Sequence, residues 1–170
     1  MPAGPKLRAP PLPTPFRVVL VEPEIPPNTG SVARTAAATG SPLHLVGKLG
    51  FRIDEQSVRR AGLDYWHLVD MHRHESLEAF TEAHPAARLH LFSANAGRSF
   101  YEADFEPGDA LVFGKESVGL DPALLARYPD RVWAIPTLGA VRSLNLSNAV
   151  SIVLYDALRR TGAFADTFMG

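Results

Sequence analysis

The 170-residue chain contains no cysteine, which removes disulfides, thiolate metal sites and a cysteine nucleophile from consideration. No apolar run approaches the roughly 20 residues needed to cross a bilayer. The opening segment, MPAGPKLRAPPLPTP, lacks the apolar centre of a signal peptide. A soluble, cytoplasmic protein without a membrane partner is expected. Neither sign of charge dominates, since 17 Lys and Arg against 18 Asp and Glu leave a net −1. Any surface for a polyanion must therefore be local. Arg59-Arg60, Arg159-Arg160 and the scattered Arg34, Arg52, Arg127 and Arg142 could contribute to one, although a solvated helix face is the more ordinary use of each pair taken alone.

Several catalytic signatures are missing as well. There is no GxSxG elbow to anchor a Ser–His–Asp triad. Gly114-Lys115 resembles the end of a Walker A loop, but the glycine required five positions earlier is Asp109. No GxGxxG opens a helix, so an ordinary dinucleotide fold is not expected. The single histidine cluster, His72-Arg73-His74-Glu75, lacks the HExxH spacing and an evident third ligand, and reads as a solvated turn with no metal.

What is present alternates between short apolar runs and helical patterns. Residues 1–15 hold six of the fifteen prolines and are expected to form a disordered or loosely attached tail, with one domain over 16–170. Strands are expected at Phe16–Val21, Leu43–Val46, Tyr65–Val69, Arg88–Phe92, Ala110–Phe113 and Arg131–Ile135. Helices are expected at Thr29–Thr39, closed by Gly40, at Glu55–Arg60, Glu75–Ala83, Pro122–Arg127 and Leu146–Arg160, the last ended by Gly162. Such alternation predicts an α/β fold with a mostly parallel sheet flanked by helices. Ligands in such sheets bind beyond the carboxyl ends of the strands.

Three of those loops are unusually polar or glycine-rich. After Val21 comes Glu22-Pro-Glu-Ile-Pro-Pro-Asn-Thr-Gly-Ser-Val-Ala-Arg34, in which Asn28, Thr29 and Ser31 could each cap the next helix. Arg34 would sit in that helix's first turn, where the macrodipole disfavours a cation, so a nearby anion or electron-rich group is one explanation and a simply solvated arginine the other. After Phe113, Gly114 and Gly119 enclose Lys115 and Glu116, a spacing that permits tight turns and close approach to a ligand. After Ile135, Pro136-Thr-Leu-Gly-Ala-Val141 leads into Arg142-Ser-Leu-Asn-Leu-Ser-Asn148. That helix entry has more polar groups than one cap requires. Behind it, residues 146, 149, 150, 153, 154, 157 and 158 form a continuous apolar stripe.

Taken together, PEIPPNTGSVARTAAATG, VFGKESVGL and IPTLGAVRSLNLSNAVSIVLYDALRR resemble the three signature motifs of the SPOUT class, the trefoil-knotted RNA methyltransferases that use S-adenosylmethionine. With the RRAGLDYWH stretch (Arg59 to His67), the chain is most similar to the small bacterial tRNA 2′-O-methyltransferases acting on the wobble cytidine or uridine. The resemblance spans roughly residues 16–162. It implies a C-terminal deep trefoil knot, a homodimer, and a tRNA anticodon stem-loop as partner. It further implies S-adenosylmethionine bent in the knot beside Phe92, Gly114, Ile135 and Ser143, lined by Gly119, Leu138 and Leu144, and released as S-adenosylhomocysteine. The catalytic positions it implies are Asn28, Arg34, Glu116, Ser143 and Asn145. Members of that class often carry Pro in place of Lys115 and Arg in place of Val118. The same chemistry on another tRNA or rRNA nucleotide, or RNA binding without catalysis, are the alternatives.

Overall fold

A computed structural model describes residues 4–53, 60 and 65–170 of the chain. Six strands form one wholly parallel sheet: β2 (Arg17–Val21), β3 (Leu43–Val46), β4 (Met71–His74), β5 (Leu89–Phe92), β6 (Ala110–Phe113) and β7 (Val132–Trp133). Their order across the sheet is β4-β3-β2-β6-β5-β7. Central strands read as unbroken apolar runs because both faces are covered. Val18 and Leu20 face one core with Leu111, Val150, Val153 and Leu154, whereas Val19 and Val112 face the other with Leu77, Phe80 and Leu91.

Helices α1 (Pro26–Thr39) and α4 (Leu146–Arg160) pack together on the first face. Buried Ala33 and Ala36 keep α1 slim, and Thr35 Oγ1 meets Ser151 Oγ at 3.2 Å across the pair. Helices α2 (Leu77–Ala83) and α3 (Pro122–Arg127) cover the second face. Gly40 ends α1 in the left-handed region, at φ 65°, which a glycine adopts without steric cost. From β7 at the sheet's edge, residues 134–145 bring the chain back to the centre, where α4 lies against α1 and β6.

Some expectations shift. The expected strand over 65–69 is a single 3-10 turn, Trp66–Leu68, and the strand follows at Met71–His74. Its histidines disguised it: β4 is an edge strand with two exposed side chains, His72 and Arg73, so it lacks the apolar run of a central strand. The predicted helix at Glu55–Arg60 lies, apart from Arg60, outside the described residues, as does Arg59. The proline-rich segment, expected to be loose, carries the two-residue strand β1 (Leu7–Arg8), which pairs antiparallel with β8 (Phe168–Met169).

The histidine cluster is no solvated turn. His44 on β3 is fully buried, stacks on His72 at 4.8 Å, and has Nδ1 2.9 Å from His74 Nε2. Arg17 Nη1 lies 3.1 Å from His44 Nε2 and can only donate, so the His44 proton must reside on Nδ1 and be donated to His74. His44, His74 and His84 present nitrogens within 4.8 Å of one another, but two of the His44 and His74 nitrogens are already joined in this chain of hydrogen bonds. Burial, with the positive fields of His72 and Arg17, pushes His44 down to about 3. Burial lowers His74 and His84 as well. The unfolded state therefore binds protons at pH 6 that the folded state refuses, and stability present above about pH 6.5 is lost as pH falls toward 3. Urea midpoints are expected to drop between pH 7.5 and 5, with a shallower drop in His44→Gln. An unchanged midpoint across that range would show that the cluster is not held neutral.

Candidate active site

The loops following β2 and β6 are bound to each other by exchanged carboxylates. Glu116 accepts from the main-chain N–H of Glu24 at 2.8 Å, from that of Ile25 at 3.1 Å, and from Asn28 Nδ2 at 3.3 Å. In return, Glu24 accepts from Ser117 N–H at 3.0 Å and Ser117 Oγ at 2.7 Å. The two Ser117 bonds hold the Glu24 carboxyl below its ordinary range. Lys115 Nζ adds a contact of 3.3 Å to Glu22. The β6 loop itself closes through Gly119 N–H to Lys115 O at 2.8 Å, with Gly119 at φ 73°. A Cβ on Gly114 would sit 2.2 Å from the Gly119 carbonyl carbon, so only glycine permits this crossing.

This arrangement explains the start of α1. The helix begins at Pro26, not at Thr29, with Ile25 as its cap residue and no side chain of its own loop capping it. Asn28, Thr29 and Ser31 were candidate caps, but all three lie inside the helix. Pro26 and Pro27 lack an N–H to be left unpaired, and proline suits the first helical turn. Glu116, some ninety residues later, supplies the acceptor, and its carboxylate lies at the positive end of α1.

A second link joins the third loop to this group. Asn145 caps α4, its Oδ1 accepting from Ser147 N–H at 2.9 Å, Ser147 Oγ at 2.6 Å and Asn148 N–H at 3.4 Å. Its Nδ2 donates to Asn28 Oδ1 at 3.1 Å. Asn145, Asn28 and Glu116 thus form one directed chain of hydrogen bonds across the ends of β7, β2 and β6. The amides and the carboxylate are largely consumed by it, so they position the three loops more than they offer free reactive groups. Ser143, two residues before Asn145, is exposed.

Residues 136–145 are ten consecutive exposed positions, with Leu138, Val141 and Leu144 among them. Among the described residues, no main-chain hydrogen bond joins 135–144 to the rest of the backbone. Ordinary connectors are polar. An apolar loop with unpaired N–H and C=O groups suits a flat heteroaromatic ligand that has both a face to cover and a polar edge to satisfy. Phe92, at the end of β5, is buried and stacked on Phe113 at 4.7 Å, so only its main chain can face such a ligand. Gly114 directly follows β6, Gly119 lies in the loop after it, and Ile135 leads from β7 into the exposed segment.

Arg34 is not part of this group. Because α1 starts at Pro26, Arg34 is its ninth residue and mid-helix, so the argument from a first-turn cation does not apply. Six residues separate it from Asn28, about 9 Å along the axis and about 240° around it. Its guanidinium lies over the Tyr65 ring at 4.6 Å and Nη2 donates to the Tyr65 hydroxyl at 3.2 Å. The tyrosine ring is an electron-rich group of the kind expected beside Arg34, although the sequence did not name Tyr65. Arg142 is exposed, as is Val118.

Residues 15–155 match the SpoU rRNA Methylase family. The chain belongs to this family. A relative from Burkholderia pseudomallei (strain 1106a), named tRNA (cytidine(34)-2′-O)-methyltransferase, is 48% identical over 150 residues, covering 86% of this chain and 96% of its own. A solved structure described as giving insight into the 2-OH methylation of C/U34 on tRNA superposes with a TM-score of 0.83 at 51% identity, over 88% of this chain and 97% of that one. The SpoU methyltransferase AviRb from Streptomyces viridochromogenes, solved with the cofactor AdoMet, gives 0.74 at 26% identity, over 88% of this chain and 62% of that one. The six-stranded parallel sheet flanked by helices is the knotted α/β fold of the SpoU family. No helix among the described residues is long and apolar enough to cross a membrane.

Proposed function

We propose that this SpoU-family chain transfers a methyl group from S-adenosylmethionine to the 2′-hydroxyl of cytidine or uridine 34 in tRNA. The observation that carries this reading is the Asn145–Asn28–Glu116 chain, which draws the three signature loops into one wall at the strand ends. The names borne by relatives of 48% and 51% identity support it, and their full-length correspondence leaves the substrate assignment little room to differ.

When bound, the donor supplies an electrophilic methyl group on a sulfonium. The main chain of the 136–144 loop, with Gly114 and Phe92, would hold the donor, and Leu138 and Leu144 would supply apolar contact. Ser143 meets the donor or the ribose from the rim of the same loop. The hydrogen-bonded wall fixes the angle of attack, and alignment of two reactants is worth many orders of magnitude in rate. A ribose hydroxyl must lose its proton as the oxygen–carbon bond forms. Arg34, always charged, stabilises the developing alkoxide or an adjacent phosphate.

Within one chain Arg34 is engaged with Tyr65 and makes no hydrogen bond to that wall, and a second copy on the outer face of α4 is the proposed way it serves the reaction. Asn148, Ile152, Tyr155 and Arg159 form an exposed stripe at helical spacing, with Tyr155 stacked on Phe164 at 5.5 Å. A second copy seated on this face beside α1 makes a homodimer and brings Arg34 of one protomer to the donor loop of the other.

Incubation of the protein with methyl-labelled donor and total tRNA tests the assignment. Label is expected on the ribose of nucleotide 34, with release of S-adenosylhomocysteine. Label on a base, or outside the anticodon loop, would overturn it.

A further inference from the structure

At the carboxyl ends of β3 and β4, beside but separate from the hydrogen-bonded wall, lies an open cleft of about 520 Å³. Lys48, Phe51, Arg52, Trp66 and Arg73 line it, with Leu49 and Ile53 at its floor. Three cations and no carboxylate line it among the described residues, in a chain whose net charge is −1. Two aromatic rings stand among those cations. Trp66 packs its body on the main core, which fixes the indole in place and leaves it half-exposed.

The loop that forms the cleft is anchored to the site. Gly50 N–H donates to Pro23 O at 3.0 Å, and Gly47 N–H to His74 O at 2.9 Å. Gly50 approaches Glu24 so closely that a Cβ would lie 3.0 Å from the Glu24 Cα. Glu24 is the residue whose carboxylate exchanges bonds with the Glu116 loop. On the other rim, Tyr65 holds Arg34 and is the immediate neighbour of Trp66. The loop that lines the cleft is therefore tied to the first signature loop, and Trp66 directly follows the tyrosine that holds Arg34.

We infer that this cleft binds an unpaired nucleotide of the RNA loop flanking the methylated one, its base stacked on Trp66 and Phe51 and its phosphates held by Lys48 and Arg73. The inference rests on the proposed RNA substrate and names where the strand runs beyond the reacting ribose. Interleaved cations and aromatic rings are the chemistry by which proteins hold single strands, because every base has a face to stack and every linkage a charge. The volume falls within the range of small-ligand clefts. A base stacked on a fixed ring also orients the neighbouring ribose, which is what in-line transfer needs.

Steady-state transfer to tRNA at saturating donor, with the full chain, tests this. Lys48→Ala and Arg73→Ala change exposed side chains and are expected to raise the KM for tRNA several-fold with kcat retained. Each is also expected to reduce the slope of log affinity against log salt by about 0.7, the value for one single-strand phosphate contact. Trp66→Leu, which keeps an apolar anchor in the core, is expected to weaken tRNA binding by about 5- to 150-fold, with S-adenosylmethionine binding by calorimetry unchanged. An unaltered KM and salt slope in the two cation variants would overturn the inference, as would an equal loss of donor affinity in Trp66→Leu. Should the unaltered chain methylate no tRNA, the proposed function itself fails, a result separable from any of these variants.

Discussion

Replacing Arg34 by alanine is expected to lower methyl transfer to tRNA by at least about 100-fold, the usual cost of removing one group that stabilises developing charge. Calorimetric binding of S-adenosylmethionine is expected to survive, because Arg34 lies about 9 Å along α1 from Asn28 and touches none of the donor loop. Arg34→Lys keeps the charge but loses the planar fork that lies over Tyr65, and is expected to recover only part of the rate. Size-exclusion chromatography separates loss of chemistry from loss of the proposed dimer. Complementation provides the sharper check. If Arg34 serves the partner's site, chains carrying Arg34→Ala co-expressed with chains carrying Asn145→Ala form mixed dimers with one intact site, and activity returns. Equal loss of donor binding and transfer in Arg34→Ala, or no recovery in mixed dimers, would remove Arg34 from the role given to it.

Asp109→Ala is expected to destabilise the fold by about 3–5 kcal/mol, the scale for stripping one partner from a buried charge pair. Asp109 is 3% exposed and its carboxylate accepts from Arg88 Nε at 2.9 Å, Arg88 Nη2 at 2.7 Å, His90 Nε2 at 2.8 Å and the Glu106 N–H at 2.9 Å. Fully buried His90 in turn accepts from the Trp133 indole N–H at 3.0 Å, which fixes the His90 proton on the nitrogen facing Asp109. One carboxylate thereby ties together β5, the start of β6 and the edge strand β7. Burial alone would raise the Asp109 carboxyl, but the bonds from His90 and Arg88 outweigh it and hold it at about 2. Its contribution is complete above the ordinary value of 3.8 and is lost as pH falls through about 2. Urea unfolding at pH 7 checks the substitution. A loss under 1 kcal/mol would mean that Arg88 and His90 find water or other partners.

The sequence was most legible where the determinants are local. Helix α4 runs over the predicted Leu146–Arg160, since its apolar stripe and its Asn145 cap lie within the helix and the residue before it. Strand β6 and helix α3 likewise have their predicted bounds. Local patterns misplaced the start of α1, because its capping acceptor is Glu116, about ninety residues downstream, and no spacing near Pro26 points to it. Strand β4 was hidden by the polarity of His72 and His74, whose partners His44 and Arg17 come from other strands. Of the candidate site, Asn28, Glu116 and Asn145 do converge, while Arg34 stands apart with Tyr65. The knot has no periodicity to betray it, and only the resemblance of three motifs suggested it.

The exchanged carboxylates also set a charge map across the strand ends. Glu22, Glu24 and Glu116 cluster between the β2 and β6 loops with Lys115 as the cation paired to Glu22, while Lys48, Arg52 and Arg73 stand to one side on the β3 and β4 loops. A polynucleotide laid over this surface meets repulsion in the middle and attraction at the flank. On the proposed reading its phosphates settle on the basic side, and the part that rests over the acidic centre is the uncharged edge of a sugar. Such a surface would sort ribose from phosphate before any base is read, by a separation of charge that a net of −1 for the whole chain conceals.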